Sequence, residues 1–135
     1  MLRIGINAYF PLSGRKTPEV EYLIQLWKDK SSELEKLSKR FDKKIWFTEY
    51  GYLSVDHAAD KTWELESRIH ELSINEVAQS NALDAFYQTW KNSKFIVGGF
   101  LWKWFPEGQG HEGYPEKDYT PQGKEAMLVL QAHFC

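Results

Sequence analysis

The chain has 135 residues, a length that suits one domain or part of one. Its formal net charge is −2 and its hydrophobic content is 42%, so no basic field predicts a nucleic acid or an anionic membrane as partner. No apolar run approaches the length of a membrane span, and the first residues lack the pattern of a secretion signal. The single cysteine, Cys135, leaves no internal disulfide. These properties predict a globular domain and leave its compartment open.

Aromatic residues are unusually frequent, with six Trp, seven Tyr and eight Phe making up 16% of the chain. Most of them suit a core of large side chains, but some could line a site where flat apolar faces stack on sugar rings or on bases. The slightly acidic net charge favours sugars over nucleic acid as the partner of such a site.

The first predicted elements are a short strand and a long helix. Residues 3–9 form the strand, in which Asn7 and Tyr9 share one face because side chains alternate along a strand. Thr17 is then the expected N-cap of a helix, whose apolar residues recur at helical spacing as far as Phe41.

Residues 44–52 are the most informative run of the sequence. An apolar, aromatic and β-prone segment ends here on Glu49, although strands of this composition are normally buried on both faces. Glu49 either pairs with a buried cation, Arg3 or Lys103, or meets a ligand at the carboxyl end of its strand. Parallel α/β folds bind their ligands at that end.

The connection over residues 53–72 is long and polar, and loops that leave the carboxyl end of a strand often belong to a site. His57 and His70 lie in it, but no cysteine or close histidine supplies metal-ligand spacing, so we predict no metal site and no cofactor. Trp63 either contacts a substrate or forms ordered surface. A capping box at residues 73–76, with Ser73 as the N-cap, then opens the second long helix.

Residues 95–104 are the third predicted strand. Trp102 and Trp104 have the same parity in it and present their indole rings on one side, either to the core or to a ligand. Thr120 and Pro121 predict the start of a final amphipathic helix.

The element order β-α-β-α-β-α predicts an α/β fold with parallel strands and right-handed crossovers. Three parallel strands alone leave two unpaired edges and make a poor independent domain. The units average about 45 residues, closer to those of an enzyme barrel with insertions than to a doubly wound domain. We therefore interpret residues 1–135 as part of a TIM-barrel domain, its last three βα units.

Four segments carry a resemblance to a known family. They resemble strands six, seven and eight of glycoside hydrolase family 113, which belongs to a clan of retaining (β/α)8 glycosidases and includes β-1,4-mannanases. The segments are Gly5-Ile6-Asn7-Ala8-Tyr9-Phe10-Pro11-Leu12, Phe47-Thr48-Glu49-Tyr50-Gly51-Tyr52, Gly99-Phe100-Leu101-Trp102-Lys103-Trp104 and Asp118-Tyr119-Thr120-Pro121-Gln122-Gly123-Lys124.

The resemblance implies a role for several of these residues. Glu49 would be the catalytic nucleophile, and Tyr9 would hydrogen-bond to it. Trp102, with Trp104, would be the platform under the sugar at the cleavage point. The substrate-binding candidates in the same segments also include Asn7 and Tyr52. The implied partner is a polysaccharide or oligosaccharide.

The chain departs from the family in one respect. The acid/base Glu of the family lies on strand four, and nothing here matches that strand. Four glutamates lie in loops and could approach Glu49, namely Glu64, Glu66, Glu107 and Glu112. We expect no hydrolysis from this chain alone.

Three function classes stay open. The first is part of a retaining β-glycan hydrolase of the β-1,4-mannanase type. The second is a non-catalytic barrel fragment that binds sugar weakly or self-associates through exposed sheet edges. The third, a small receiver-like domain, is disfavoured because the first strand lacks the acidic cluster that a phosphorylation site needs.

Overall fold

A three-stranded parallel sheet lies at the centre of the molecule. The computed structural model describes residues 2–135. In chain order the elements are β1 (Ile4–Asn7), α1 (Val20–Phe41), β2 (Ile45–Tyr50), α2 (Thr62–Ser67), a 3-10 helix (Ile69–Glu71), α3 (Glu76–Trp90), β3 (Ile96–Leu101) and α4 (Ala126–Phe134). The strands pair in parallel in the order β1-β2-β3, which confirms the predicted α/β class. Over these residues, no helix combines the length and apolar character needed to cross a membrane.

One side of the sheet packs against helices, and the main core lies there. Ile45 and Phe47 of β2 are buried together with Trp27 of α1. Trp27 packs edge-to-face on Phe86 and Trp90 of α3, with ring centroids 6.0 and 5.4 Å apart, a geometry that aromatic pairs prefer. We call this side, defined by these five residues, the helix-covered face. The core on this face contains many of the aromatic residues of the chain.

β2 contains an irregularity that affects where Glu49 lies. Phe47 and Tyr50 both pack on Phe86, although residues three apart in a regular strand lie on opposite faces. The register with both neighbouring strands shifts in this segment, which is the mark of a β-bulge. Thr48 and Glu49 therefore lie side by side between two core residues, and neither belongs to the core.

The opposite side of the sheet is open. We define this open face by Asn7, Trp46, Thr48 and Phe100. Asn7 and Thr48 are exposed and are joined by a hydrogen bond of 2.5 Å from Thr48 Oγ1 to Asn7 Oδ1. The half-buried Trp46 contacts Phe100 with ring centroids 5.4 Å apart, and Phe100 is still 62% exposed. Parallel sheets normally have both faces covered, so this face is unusual.

Two helices start later than predicted. α1 begins at Val20 with Glu19 as its N-cap, because the Thr17 hydroxyl instead accepts a hydrogen bond of 2.8 Å from the Asn75 side chain. The N-cap of α3 is Asn75 and not Ser73, since the Asn75 side-chain oxygen accepts a backbone N–H from the first turn. Asn75 thereby ties the starts of both helices together.

The final helix and the long connection also differ from the predictions. α4 begins at Ala126 and not after Thr120 and Pro121. The intervening residues form turns, because the Gln122 side chain bonds to the backbone of the loop after β3. The connection over residues 53–72 contains α2 and the 3-10 helix, which the sequence analysis did not predict.

Candidate active site

A pocket of about 260 Å³ opens at the carboxyl ends of the three strands. Its lining residues are Tyr9, Glu49, Thr62, Trp63, Glu66, Trp102 and Tyr119. A second cavity of about 330 Å³ lies between the sheet and α3, but its lining is mostly apolar and contains no carboxylate. The pocket with Glu49 is therefore the candidate site, at the end of the strands where parallel α/β folds bind their ligands.

Tyr9 and Glu49 form the central contact of this pocket. The Tyr9 hydroxyl donates a hydrogen bond of 2.8 Å to Glu49 Oε2. Burial, followed by this hydrogen bond and by the charge of Glu49, raises the pKa of Tyr9 well above its usual value. Tyr9 therefore stays protonated and remains a donor to Glu49, and the other carboxylate oxygen, Oε1, has no hydrogen-bond partner within residues 2–135.

The two cations proposed as partners of Glu49 are engaged elsewhere. The Arg3 guanidinium lies over the Trp46 ring, 5.5 Å from its centroid. Lys103 Nζ pairs with the fully buried Asp118 at 3.0 Å. Over the described part of the chain, no ion pair reaches Glu49. Glu49 is thus a half-buried carboxylate held by a neutral donor.

Backbone hydrogen bonds place the flanking aromatic residues. The Ala8 N–H donates to the Glu49 carbonyl at 2.7 Å. This bond continues the pairing of β1 with β2 beyond Asn7 and fixes the backbone next to Tyr9. β3 ends at Leu101, short of its predicted end, but the Trp102 N–H still donates to the Tyr50 carbonyl at 2.7 Å.

Gly51 allows the chain to pass close to Trp102. A Cβ at position 51 would lie 2.0 Å from the Trp102 carbonyl oxygen, a distance that no side chain tolerates. The glycine in the Tyr-Gly-Tyr segment is therefore required for the approach of the two strand ends, which brings Trp102 next to Glu49.

The segment 118–124 braces the loop after β3. Gln122 accepts a hydrogen bond from the Phe105 N–H and donates one to the Phe105 carbonyl, both at 2.8 Å. Asp118 pairs with Lys103 and also accepts the backbone N–H groups of two neighbouring residues. Lys124 donates to the Asp118 carbonyl at 2.9 Å. These contacts fix the loop that carries Trp102.

A second tyrosine–carboxylate pair lies beside the first. The Tyr119 hydroxyl donates a hydrogen bond to Glu66 Oε1 on α2. The Tyr119 ring packs on Tyr9 with centroids 6.2 Å apart and an interplanar angle of 61°. Burial, followed by the bond to Glu66 and its charge, raises the pKa of Tyr119 well above its usual value. Both tyrosines therefore donate to carboxylates of the same pocket.

The structure brings together some of the sequence candidates and not others. Glu49, Tyr9 and Trp102 line one pocket. Trp104 is 52% exposed and lies outside the pocket lining, and Asn7 lies on the open face bonded to Thr48.

Tyr52 lies in the core. It is only 4% exposed, and its hydroxyl has no hydrogen-bond partner in the described structure. Burial raises its pKa. The resemblance alone had made Tyr52 a candidate, and the bulge in β2 changes which residues are buried after Glu49.

Thr62 and Tyr119 line the pocket but were not predicted as site residues from the sequence. Tyr119 lies in segment 118–124, one of the four segments that resemble the family, and this was the feature of the sequence that could have identified it as a site residue. Trp63, an open alternative, does line the pocket. As for metals, nowhere in residues 2–135 do three His, Cys, Asp or Glu side chains gather into a possible binding group.

Solved structures resemble the fold. The β-mannanase of family GH113 from Alicyclobacillus acidocaldarius, solved in complex with ManMIm, aligns with a TM-score of 0.70 and 21% identity over 96% of this chain and 37% of its own. A structure of a GH113 β-1,4-mannanase aligns with a TM-score of 0.69 and 22% identity over 98% of this chain and 38% of its own. The structure of a complex of a GH113 β-1,4-mannanase aligns with a TM-score of 0.66 and 23% identity over 90% of this chain and 37% of its own.

The chain thus spans less than two fifths of the length of these enzymes. No curated protein gave a match. The family model of Glycoside Hydrolase Family 113 matches residues 2–124, which include all three strands and the whole candidate pocket. Because that match covers most of the sequence, the chain belongs to glycoside hydrolase family 113.

Proposed function

We propose that residues 1–135 are the last three βα units of a (β/α)8 barrel and carry one half of a retaining β-glycan hydrolase site of the β-1,4-mannanase type. Three observations support this. The sheet has three parallel strands with an open face, the four quoted segments resemble strands six to eight of the family, and the chain covers 37–38% of the similar mannanases. Three of eight units is close to that share.

Glu49 is the proposed nucleophile, and its contact with Tyr9 is the observation that carries the proposal. In a retaining glycosidase one carboxylate attacks the anomeric carbon, and a second carboxyl group about 5–5.5 Å away protonates the leaving oxygen. Tyr9 binds Glu49 Oε2 at 2.8 Å, which orients the carboxylate and leaves Oε1 to attack. Water then hydrolyses the glycosyl-enzyme intermediate with the second carboxyl group acting as base.

Trp102 is the proposed platform for the sugar. Aromatic faces bind the C–H side of a pyranose while polar groups take its hydroxyls. Trp102 lines the pocket with Glu49 and is 43% exposed, so its ring is available to a ligand. The acid/base carboxyl group comes from the other five units, and the chain alone is inactive.

Complementation tests this function. The first five βα units of a family 113 β-mannanase would be co-expressed with this chain, and sugar release from β-mannan would be measured, with the anomeric configuration read by NMR. We expect retention in the complemented protein and no release by the chain alone.

Replacing the nucleophile gives the sharpest result. In the complemented barrel, Glu49→Gln should lower turnover by several orders of magnitude, because Gln cannot form the glycosyl ester. Glu64→Gln is the matched control, since Glu64 is an exposed glutamate outside the pocket that pairs only with Lys61 at 3.9 Å. Near-normal turnover by Glu49→Gln would refute the assignment.

A second candidate function is a non-catalytic fragment that binds sugar weakly or self-associates through its sheet edges. The observation that favours it is the exposure of Phe100 on β3, which is one of the two outer strands of the sheet. Unpaired strand edges are templates for association. A mass in solution that rises with concentration would support this candidate.

A further inference from the structure

Glu66 holds a position in the pocket that the proposed hydrolysis does not use. One of its carboxylate oxygens, Oε1, accepts the Tyr119 hydroxyl. The other has no hydrogen bond or ion pair in the described structure. Its neighbour on the same helix, Glu64, is the partner of Lys61, so Glu66 keeps its charge uncompensated.

Tyr119 holds Glu66 in place. Tyr119 is almost fully buried and packs on the Tyr9 ring, which itself bonds to Glu49. The two tyrosines thus connect Glu66 on α2 to Glu49 on β2 through one rigid pair of rings. This arrangement holds the Glu66 carboxylate in place, and Glu66 is one of the residues that line the pocket.

The pocket is rich in acceptors and lacks cations. Two carboxylates line it, Glu49 and Glu66, and no Lys, Arg or His does. The two tyrosine hydroxyls already donate to these carboxylates. The lining also offers donors in Thr62 and the two indoles, but next to Glu49 and Glu66 it favours a ligand that brings hydrogen-bond donors and no negative charge, because a like charge close by is repelled.

A neutral sugar meets both conditions, since its hydroxyls are donors and its C–H face can pack on an indole. Trp63, 57% exposed, lines the pocket next to Glu66 on α2. We propose that Glu66, held by Tyr119, is a specificity-determining residue that accepts sugar hydroxyls and rejects glycans that carry carboxylates. The proposal rests on the proposed function, because it assumes that a β-glycan occupies the pocket.

Two probes with the same linkage test this selectivity. β-1,4-Mannotetraose is neutral, whereas β-1,4-tetramannuronate carries a carboxylate on every sugar. Their dissociation constants for the 135-residue chain would be measured by calorimetry at low ionic strength. We expect the neutral tetraose to bind tighter by at least about fivefold, the effect of one pair of like charges about 4 Å apart that interact through water.

Glu66→Gln should bring the ratio of the two dissociation constants, tetramannuronate over mannotetraose, closer to one. The substitution removes one charge and keeps an acceptor for Tyr119. The ratio should stay above one, since Glu49 is still charged. Glu64→Gln is the control on the same helix and should narrow the ratio of dissociation constants less, because Glu64 lies outside the pocket lining. Salt gives a second measurement without any substitution, because 1 M NaCl shortens the screening length to about 3 Å and should narrow the ratio of the parent chain as well.

The change in this ratio on substitution decides whether Glu66 determines specificity. A ratio of dissociation constants that narrows more in Glu66→Gln than in Glu64→Gln supports the proposal, whereas an equal or smaller change in Glu66→Gln overturns it and leaves the proposed hydrolysis intact. Equal binding of both probes by the parent, or binding of neither, also overturns it. The proposed function is judged separately by turnover of the complemented barrel.

Discussion

The two faces of the sheet differ in what covers them. On the helix-covered face, Phe47 is buried under the aromatic residues of α3. On the open face, Phe100 is 62% exposed although it lies in the same sheet. Parallel sheets normally bury both faces, whereas here helices cover one face and the other is exposed in the described residues.

The candidate site lies at the rim between these faces. The bulge in β2 places Tyr50 with the helices and Glu49 with Tyr9. Residues under the helices therefore determine stability, and residues at the rim are available for chemistry. Substitutions on each side should separate these two properties.

The largest effect on stability is expected at Trp27. Its ring packs on those of Phe10, Phe86 and Trp90, with ring centroids no more than 6.0 Å apart. The side chain is fully buried. Trp27→Ala should lower the free energy of unfolding by about 3–5 kcal/mol, since it removes a large buried aromatic side chain and leaves a cavity. Denaturant unfolding followed by circular dichroism measures this.

The matched control is Trp104→Ala, which removes an indole of the same size from an exposed position. Its effect should be within about 0.5 kcal/mol. An equal loss in the two variants would mean that the helix-covered face is not the main source of stability.

Tyr9→Phe should have the next largest effect, and this one concerns activity. The variant keeps the ring that packs on Tyr119 and loses the hydrogen bond to Glu49. A hydrogen bond to a charged group contributes about 1.5–3 kcal/mol, so turnover of the complemented barrel should fall about 10- to 150-fold.

The pH dependence of that loss is a further test. Because burial and Glu49 raise the pKa of Tyr9, its hydroxyl stays protonated through pH 10. The ratio of parent to variant turnover should therefore be constant from pH 6 to 9. A ratio that collapses in this range would show that the Tyr9 hydroxyl ionises there.

Much of this arrangement was predictable from local sequence. β2 was recognisable because aromatic and β-branched residues run up to Glu49, and the Tyr9–Glu49 contact was implied by the resemblance to family 113. The start of α1 was not predictable in the same way. Thr17 is a good N-cap, but it bonds to Asn75, which is 58 residues away in sequence.

The position of Tyr52 was missed for a similar reason. Its burial depends on the bulge at Thr48 and Glu49, which arises from pairing with β1 and β3 together. Glu66 was only one of the four loop glutamates that were named as able to approach Glu49. Its place in the pocket depends on α2 and on the bond to Tyr119, both of which are tertiary features.

The smallest effect on stability is expected on the open face. Phe100 contacts Trp46 but is largely exposed on an outer strand of the sheet, so Phe100→Lys should change the free energy of unfolding by no more than about 0.5 kcal/mol. A charge on a strand edge opposes edge-to-edge pairing, so any self-association of the parent chain, measured by sedimentation velocity over a range of concentrations, should decrease. A loss of several kcal/mol would instead show that the open face stabilises the isolated chain, and the contrast between the two faces would no longer hold.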